Sequence, residues 1–292
     1  MSKLRSWLRL IRVAALPTAL ADVWLGGAVV GASIRSLADI SIVSLLIYSA
    51  GMILNDVHDV RADRTDNPKR PLPMGEISVR AAALAGVALL ALGIFAALRV
   101  SRPAFDLAIL LAMLVLIYNF VSKNTIAGPL NMGLCRGLNV LLGVSAVGRI
   151  SGDSTVLLLA ISVPIFVYVT GITWLARNEA EQGARRSKLA MGTIGAGVLL
   201  IPALYWLNVW HVTREYASME AFGALAFIAA VACFVGAITR GGSVRGSVGI
   251  ALALIIPFEA LVAAASLRPV AALIILALLA PAWLIRRLSH LT

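Results

Sequence analysis

One short stretch of this 292-residue chain carries most of the side chains able to do chemistry. It runs Asn55-Asp56-Val57-His58-Asp59-Val60-Arg61-Ala62-Asp63 and leads into Asn67-Pro68-Lys69-Arg70-Pro71-Leu72-Pro73-x-Gly75. If the apolar segment before it continues as a helix, Asp56, Asp59 and Asp63 recur at i, i+3 and i+7 and share one face. Like charges at that spacing repel, at a cost of a few tenths of a kcal/mol per pair. A divalent cation removes the conflict. Oxygen-only ligands point to Mg²⁺, which takes one or two protein carboxylates plus substrate phosphates. Arg61, Arg64, Lys69 and Arg70 follow at once. Carboxylates and cations together suit a metal-bridged diphosphate, whose charge the Arg and Lys groups would also neutralise. The bland alternative is a solvated loop of mixed charge; the spacing, the bordering Asn55 and the Pro-rich tail argue against it. His58 is best placed as an exposed side chain rather than a base.

The elements that must position these groups are apolar helices. Hydrophobic residues make up 60% of the chain and charged residues 13%, against about 25% charged in soluble proteins. The mean hydropathy is +0.94. A soluble globular domain, a disordered chain and a disulfide scaffold are excluded. We expect one all-α polytopic transmembrane domain over residues 1–292, nine or ten spans around a central apolar cavity. The expected spans lie near 13–34, 37–54, 79–99, 103–121, 127–147, 154–175, 188–210, 217–238, 247–267 and 269–287. The last two are separated only by Arg268 and Pro269, hence nine or ten. With ten spans and an inside N-terminus, 18 basic residues fall on the cytoplasmic side and six outside. Arg286 and Arg287 then place the C-terminus inside as well. Lys3, Arg5, Arg9 and Arg12 precede a retained helix rather than a cleaved leader. The net charge of +11 fits a cytoplasmic face of an inner membrane meeting anionic lipid, not nucleic acid. Cys135 and Cys233 lie in apolar runs, and His58, His211 and His290 have no metal-ligand neighbours at suitable spacing. Trp174 and Trp210 are expected as interfacial anchors.

Three charges fall inside spans: Asp22, Arg136 and Glu259. A charge at the bilayer centre costs roughly 2.5–3.5 kcal/mol on insertion scales, so each should face the bundle interior. Asp22 and Arg136 can pair, with Asn139 one turn further on. They would either line a substrate cavity or lock helices together. A second cytoplasmic connection, about Arg177 to Ser187, holds Glu179 and Glu181. With the first connection it contains seven of the fourteen acids, and the four-span separation hints at a diverged duplication.

Asn55-Asp56-x-x-Asp59-x-x-x-Asp63 followed by Arg70-Pro71-Leu72 resembles the first aspartate motif of the UbiA superfamily of intramembrane prenyltransferases. That resemblance implies an all-helical bundle, usually of nine spans, that uses Mg²⁺ to bind a prenyl diphosphate. It implies transfer of the prenyl group to a lipophilic, often aromatic, acceptor. Carried over, Asn55, Asp56, Asp59 and Asp63 would be metal and diphosphate ligands. Arg70 would contact the diphosphate. Tyr118 and Lys123 look like the family's Tyr and Lys after the fourth span, with Lys123 a second diphosphate contact. The second motif departs from the family pattern. Arg177-Asn178-Glu179-Ala180-Glu181-Gln182-Gly183 offers Asn178 and Glu181 in place of two aspartates, with Glu181 a metal ligand. Alternatively, Arg177-x-Glu179 with Gly183 resembles an outlying branch, the EboC-like proteins, as does Cys135-Arg136-Gly137-Leu138-Asn139. Arg177, Asn178, Glu179, Arg136, Asn139 and Asp22 are the remaining candidate substrate contacts. A CDP-alcohol phosphotransferase lacks support, because its Gly-x-x-Ala-Arg run is absent. A transporter or carrier of a lipophilic intermediate on the same fold is the competing reading.

Overall fold

The computed structural model describes residues 3–148, 155–181, 190–200, 236, 244–265 and 268–290; the described residues contain helices and no strand. The helices are α1 (Lys3–Leu10), α2 (Leu16–Val29), α3 (Ile34–Asp66), α4 (Val79–Val100), α5 (Arg102–Ile117), α6 (Ala127–Val144) and α7 (Thr155–Glu181). They continue with α8 (Ala190–Leu200), α9 (Val244–Ala253), α10 (Ile255–Ala265), α11 (Pro269–Ala277) and α12 (Leu279–His290). Five helices among the described residues are long and apolar enough to cross a membrane, or six if α9 and α10 form one bent span. Leu84, Phe95, Met113 and Leu116 on α4 and α5 stay exposed, as a lipid-facing surface requires. The chain is an integral membrane protein. The expected span 217–238, apart from residue 236, and half of 188–210 lie outside the described residues.

Local sequence explains the element ends. Ser33, Ser78 and Ser101 cap α3, α4 and α5, each hydroxyl accepting from the backbone N–H three residues on. Nothing stops α3 at residue 54. It runs on to Asp66, where Asn67 caps it and Pro68 cannot continue it. The expected 55–78 loop is therefore mostly helix up to residue 66, with the short link 67–78 after it. Near the other end, the expected single span 247–267 is bent by 41° between α9 and α10. Pro257 has no N–H to donate to the Ala253 carbonyl four residues back, and the bend falls at that residue.

The α2–α6, α6–α7 and α3–α4 pairs are the most extensive helix contacts. In the α2–α6 pair the backbones meet directly. A Cβ on Gly26 would lie 1.9 Å from the Val140 carbonyl oxygen, and one on Gly143 would lie 2.2 Å from that of Val23. Only glycine allows this approach, the membrane way of packing helices. It holds Asp22 of α2 against Asn139 of α6. Leu25, Val140, Tyr168 and Phe258 belong to the larger core, formed with α7 and α10. Trp174, expected as an interfacial anchor, packs partly buried against that core; Trp210 lies outside the described residues. A second core joins α3, α4, α5 and α6, and a third seats α1 on the α3 end through Leu10, Ile53, Leu72 and Ile77.

Candidate active site

Because α3 continues past the apolar segment, Asn55, Asp56, Asp59 and Asp63 stand on helical backbone, as the spacing requires. Asn55, Asp56 and Asp63 are buried despite their polarity, and basic side chains converge on the acids. Arg12 lies 3.1 Å from Asp56 Oδ1. Arg70 NH1 bridges two acids, 2.6 Å from Asp63 Oδ2 and 3.5 Å from Asp56 Oδ1. Lys123 pairs with Asp59 and donates to Asn55 Oδ1 at 2.9 Å. Asn67 Nδ2 donates to Asp63 Oδ1 at 3.0 Å, so Asp63 is engaged on both oxygens. Four acidic-motif residues and three cations from three separate segments thus form one cluster. His58 is exposed and packs edge-on against Phe120, with ring centroids 5.3 Å apart.

The donor set suits a hard cation. The Asn55 amide nitrogen is 3.2 Å from Asp59 Oδ2 and 3.5 Å from Asp56 Oδ1, so both carboxylates reach one region of the face. No group of three or more His, Cys, Asp or Glu side chains converges among the described residues. A cage built wholly from protein is therefore not what these residues make. One or two carboxylates with phosphate oxygens completing the shell is the usual Mg²⁺ arrangement, and Asp56 with Asp59 fits it.

Lys123 owes its place to a break in helical geometry. After α5 the chain makes a five-residue π turn over Tyr118–Ser122, a feature frequent at functional sites. Asn119 in that turn is buried and donates to the Gly51 carbonyl of α3 at 3.0 Å. The link that follows is held from α7. Arg177 donates to the Asn124 carbonyl at 2.9 Å and to the Thr125 carbonyl. The second-motif arginine thus grips the backbone beside Lys123, where the family resemblance implied a substrate contact. The side chains of Asn178, Glu179 and Glu181 lie outside the described residues.

Below the acidic face is a mostly apolar cavity between α3, α5 and α6. Ile47, Met52, Leu111, Val115 and Met132 line it, together with Tyr118 near the acids. Ser44, Tyr48, Arg136 and Asn139 make its polar part. Behind that wall the three intramembrane charges meet. Arg136 Nε is 3.0 Å from Asp22 Oδ2 and Arg136 NH2 is 3.3 Å from Glu259 Oε1. Both carboxylates are 0% exposed. Asn139 Nδ2 donates to Asp22 Oδ2 at 2.9 Å, as its one-turn offset from Arg136 allows. Arg136 and Asn139 therefore face the cavity, whereas Asp22 supports them from behind and does not line it. The sequence singled out Glu259 as an intramembrane charge but not as a third member of this cluster. Arg12 was counted only for topology. Its one local signal is its position before α2, where it adopts a left-handed φ of 53° that turns it toward Asp56.

Comparison with known proteins now bears on this arrangement. The UbiA prenyltransferase family model matches residues 14–244. The chain belongs to the UbiA prenyltransferase family. Among relatives, it is 31% identical over 160 residues to a digeranylgeranylglyceryl phosphate synthase of Methanococcus maripaludis, covering 53% of this chain and 56% of that one. To the protein of the same description from Methanosarcina mazei it is 28% identical over 204 residues, covering 65% and 70%. The chain thus spans little more than half the length of the first of these relatives. A solved UbiA homolog from Archaeoglobus fulgidus, bound to DMAPP and Mg²⁺, superposes with a TM-score of 0.63 at 17% identity, covering 89% of this chain and 99% of that one. A UbiA homolog from Aeropyrum pernix K1 gives 0.63 at 19% identity, covering 86% and 96%. The UbiA fold expected from the aspartate motif is the fold observed.

Proposed function

We propose that this UbiA-family chain, as one domain over residues 1–292, transfers a prenyl group from a prenyl diphosphate to a lipophilic, aromatic acceptor within the membrane, using Mg²⁺. The observation that carries the reading is the cluster of Asn55, Asp56, Asp59 and Asp63 with Arg12, Arg70 and Lys123 directly above an apolar cavity. When bound, Mg²⁺ would offset negative charge growing on the leaving diphosphate. Asp56 and Asp59 would hold it, with Asn55 orienting both. Arg70, Lys123 and Arg12 supply fixed positive charge at the same place. The C1–oxygen bond of the substrate breaks and its electron pair leaves with pyrophosphate. A bond forms from the acceptor to C1, and the acceptor loses a proton. The apolar walls exclude water from the cation-like carbon. The acidic face belongs on the cytoplasmic side of a bacterial-type inner membrane, in keeping with the distribution of basic residues.

The relatives' names include a glyceryl phosphate product; the predominantly apolar cavity supports the lipophilic acceptor for this chain. The test is to incubate the purified protein with Mg²⁺, isotopically labelled geranylgeranyl diphosphate and its co-purifying lipids. Mass spectrometry should show a labelled prenylated lipid and free pyrophosphate. Binding without any labelled product would identify a carrier instead and defeat the proposal.

A further inference from the structure

At the polar end of the cavity most side chains are engaged by protein partners, and the Tyr48 hydroxyl is not. Ser44 Oγ donates to Asn139 Oδ1 at 2.8 Å, and Asn139 Nδ2 is shared between Asp22 and the Ala19 carbonyl. The arms of Arg136 are taken up by Asp22, Glu259 and the Thr18 carbonyl, the last at 2.8 Å. The hydroxyl of Tyr48, on the same wall, makes no hydrogen bond among the described residues. The residue is partly buried, in a cavity whose lining is otherwise largely apolar, with Ile47, Met52, Leu111 and Val115.

The position of Tyr48 says what could meet it. Ser44, Tyr48, Asn55 and Asp59 fall at i, i+4, i+11 and i+15, one face of α3. Seven residues separate Tyr48 from Asn55, about 10 Å along the helix axis. The Tyr48 side chain therefore lies on the cavity wall about two turns of α3 away from the acids. A prenyl tail there would leave the hydroxyl against hydrocarbon, and an unpaired polar group in a dry site is unfavourable. A ligand oxygen would pair it. Charge narrows the ligand further. Among the described residues Arg136 is the only charged one in the lining, and two carboxylates already face it. The wall thus presents no surplus positive charge to an anion.

We propose that Tyr48 hydrogen-bonds an uncharged oxygen of the lipophilic acceptor, and that this cavity selects neutral acceptors over phosphate-bearing ones. This rests on the prenyl-transfer reading above. The site it assigns is an acceptor subsite: Tyr48 is the discriminating donor, and the Asp22–Arg136–Glu259 cluster keeps the wall from attracting anions.

The experiment compares wild type with Tyr48→Phe, which keeps the ring, in the full chain in detergent micelles. The probes are 1,4-dihydroxynaphthalene, 4-hydroxy-1-naphthyl phosphate and geranylgeranyl diphosphate with Mg²⁺. Wild type should bind the neutral naphthalene at least tenfold more tightly than its phosphate. Tyr48→Phe should lose about tenfold for the neutral probe and keep its affinity for geranylgeranyl diphosphate. Equal binding of the neutral probe by both proteins, failure of wild type to bind it, or preference for the phosphate would overturn the assignment. Tighter geranylgeranyl diphosphate binding by Tyr48→Phe would also overturn it, since the tail would then occupy this end. If wild type binds no geranylgeranyl diphosphate, it is the prenyl-transfer reading that fails, with this assignment along with it. If that binding is intact, a failed probe test refutes Tyr48 alone.

Discussion

Replacing Arg136 with Met tests the buried charge cluster most severely. Met fills similar space without charge. The substitution leaves Asp22 and Glu259, both 0% exposed, with no cation beside them among the described residues. Asp22 would keep the Asn139 amide at 2.9 Å, and Glu259 would lose the Arg136 donation at 3.3 Å. Removing one partner of a buried ion pair typically costs about 3–5 kcal/mol. Here one guanidinium serves two carboxylates, which puts the expected loss toward the upper end, about 5 kcal/mol. At 1.4 kcal/mol per decade, that is a change of more than ~1,000-fold in the folding equilibrium. The assay is reversible unfolding of the purified protein in mixed micelles, titrated with a denaturing detergent. The triple variant Asp22→Asn/Arg136→Met/Glu259→Gln removes every charge while keeping the shapes, and should recover at least half of the loss. The reasoning is refuted if Arg136→Met lies within ~1 kcal/mol of wild type, or if the triple variant is no more stable than Arg136→Met.

Three further outcomes follow from the geometry. Arg177 holds the Asn124 and Thr125 carbonyls, so its effect on diphosphate binding should pass through Lys123. Lys123→Ala and Arg177→Ala should each weaken Mg²⁺-pyrophosphate binding, and the double variant should be no worse than Lys123→Ala; additive losses in the cycle would place Arg177 on the ligand itself. Gly143→Ala puts a methyl group where the Val23 carbonyl oxygen lies 2.2 Å away, and should cost about 1–3 kcal/mol in the same unfolding assay, because the α2 and α6 backbones must part. Arg12→Ala should weaken Mg²⁺-pyrophosphate binding about tenfold, the size of one charge-assisted contact, with no change in acceptor binding.

The acidic face was legible because helix periodicity alone decides which residues share it. Asp56, Asp59 and Asp63 needed only that α3 continue, and the sequence contains no breaker before Pro68. The Asp22–Arg136 pair was legible for a different reason. Intramembrane charges are costly, so two opposite ones are expected to meet. Glu259 joined them because α10 packs against α2, a tertiary event that local sequence does not specify. Arg12 was hidden because its role depends on one left-handed residue and on how α1 seats against α3, neither of which has a periodic signature. Arg177 illustrates the opposite difficulty. Its type and position suggested a ligand contact, but whether an arginine reaches a phosphate or a neighbouring carbonyl depends on how closely α7 approaches the α5–α6 link.

The most direct test of the central claim is the affinity of geranylgeranyl diphosphate for the purified protein with and without Mg²⁺, in wild type and in Asp56→Asn/Asp59→Asn. The asparagines keep the shape and remove the charge that would hold the metal. Wild type should bind at least tenfold more tightly with Mg²⁺ than with chelator, and the double variant should show no Mg²⁺ dependence. Mg²⁺-independent binding by wild type, or an undiminished Mg²⁺ effect in the double variant, would contradict the assignment of this acidic face as the diphosphate site.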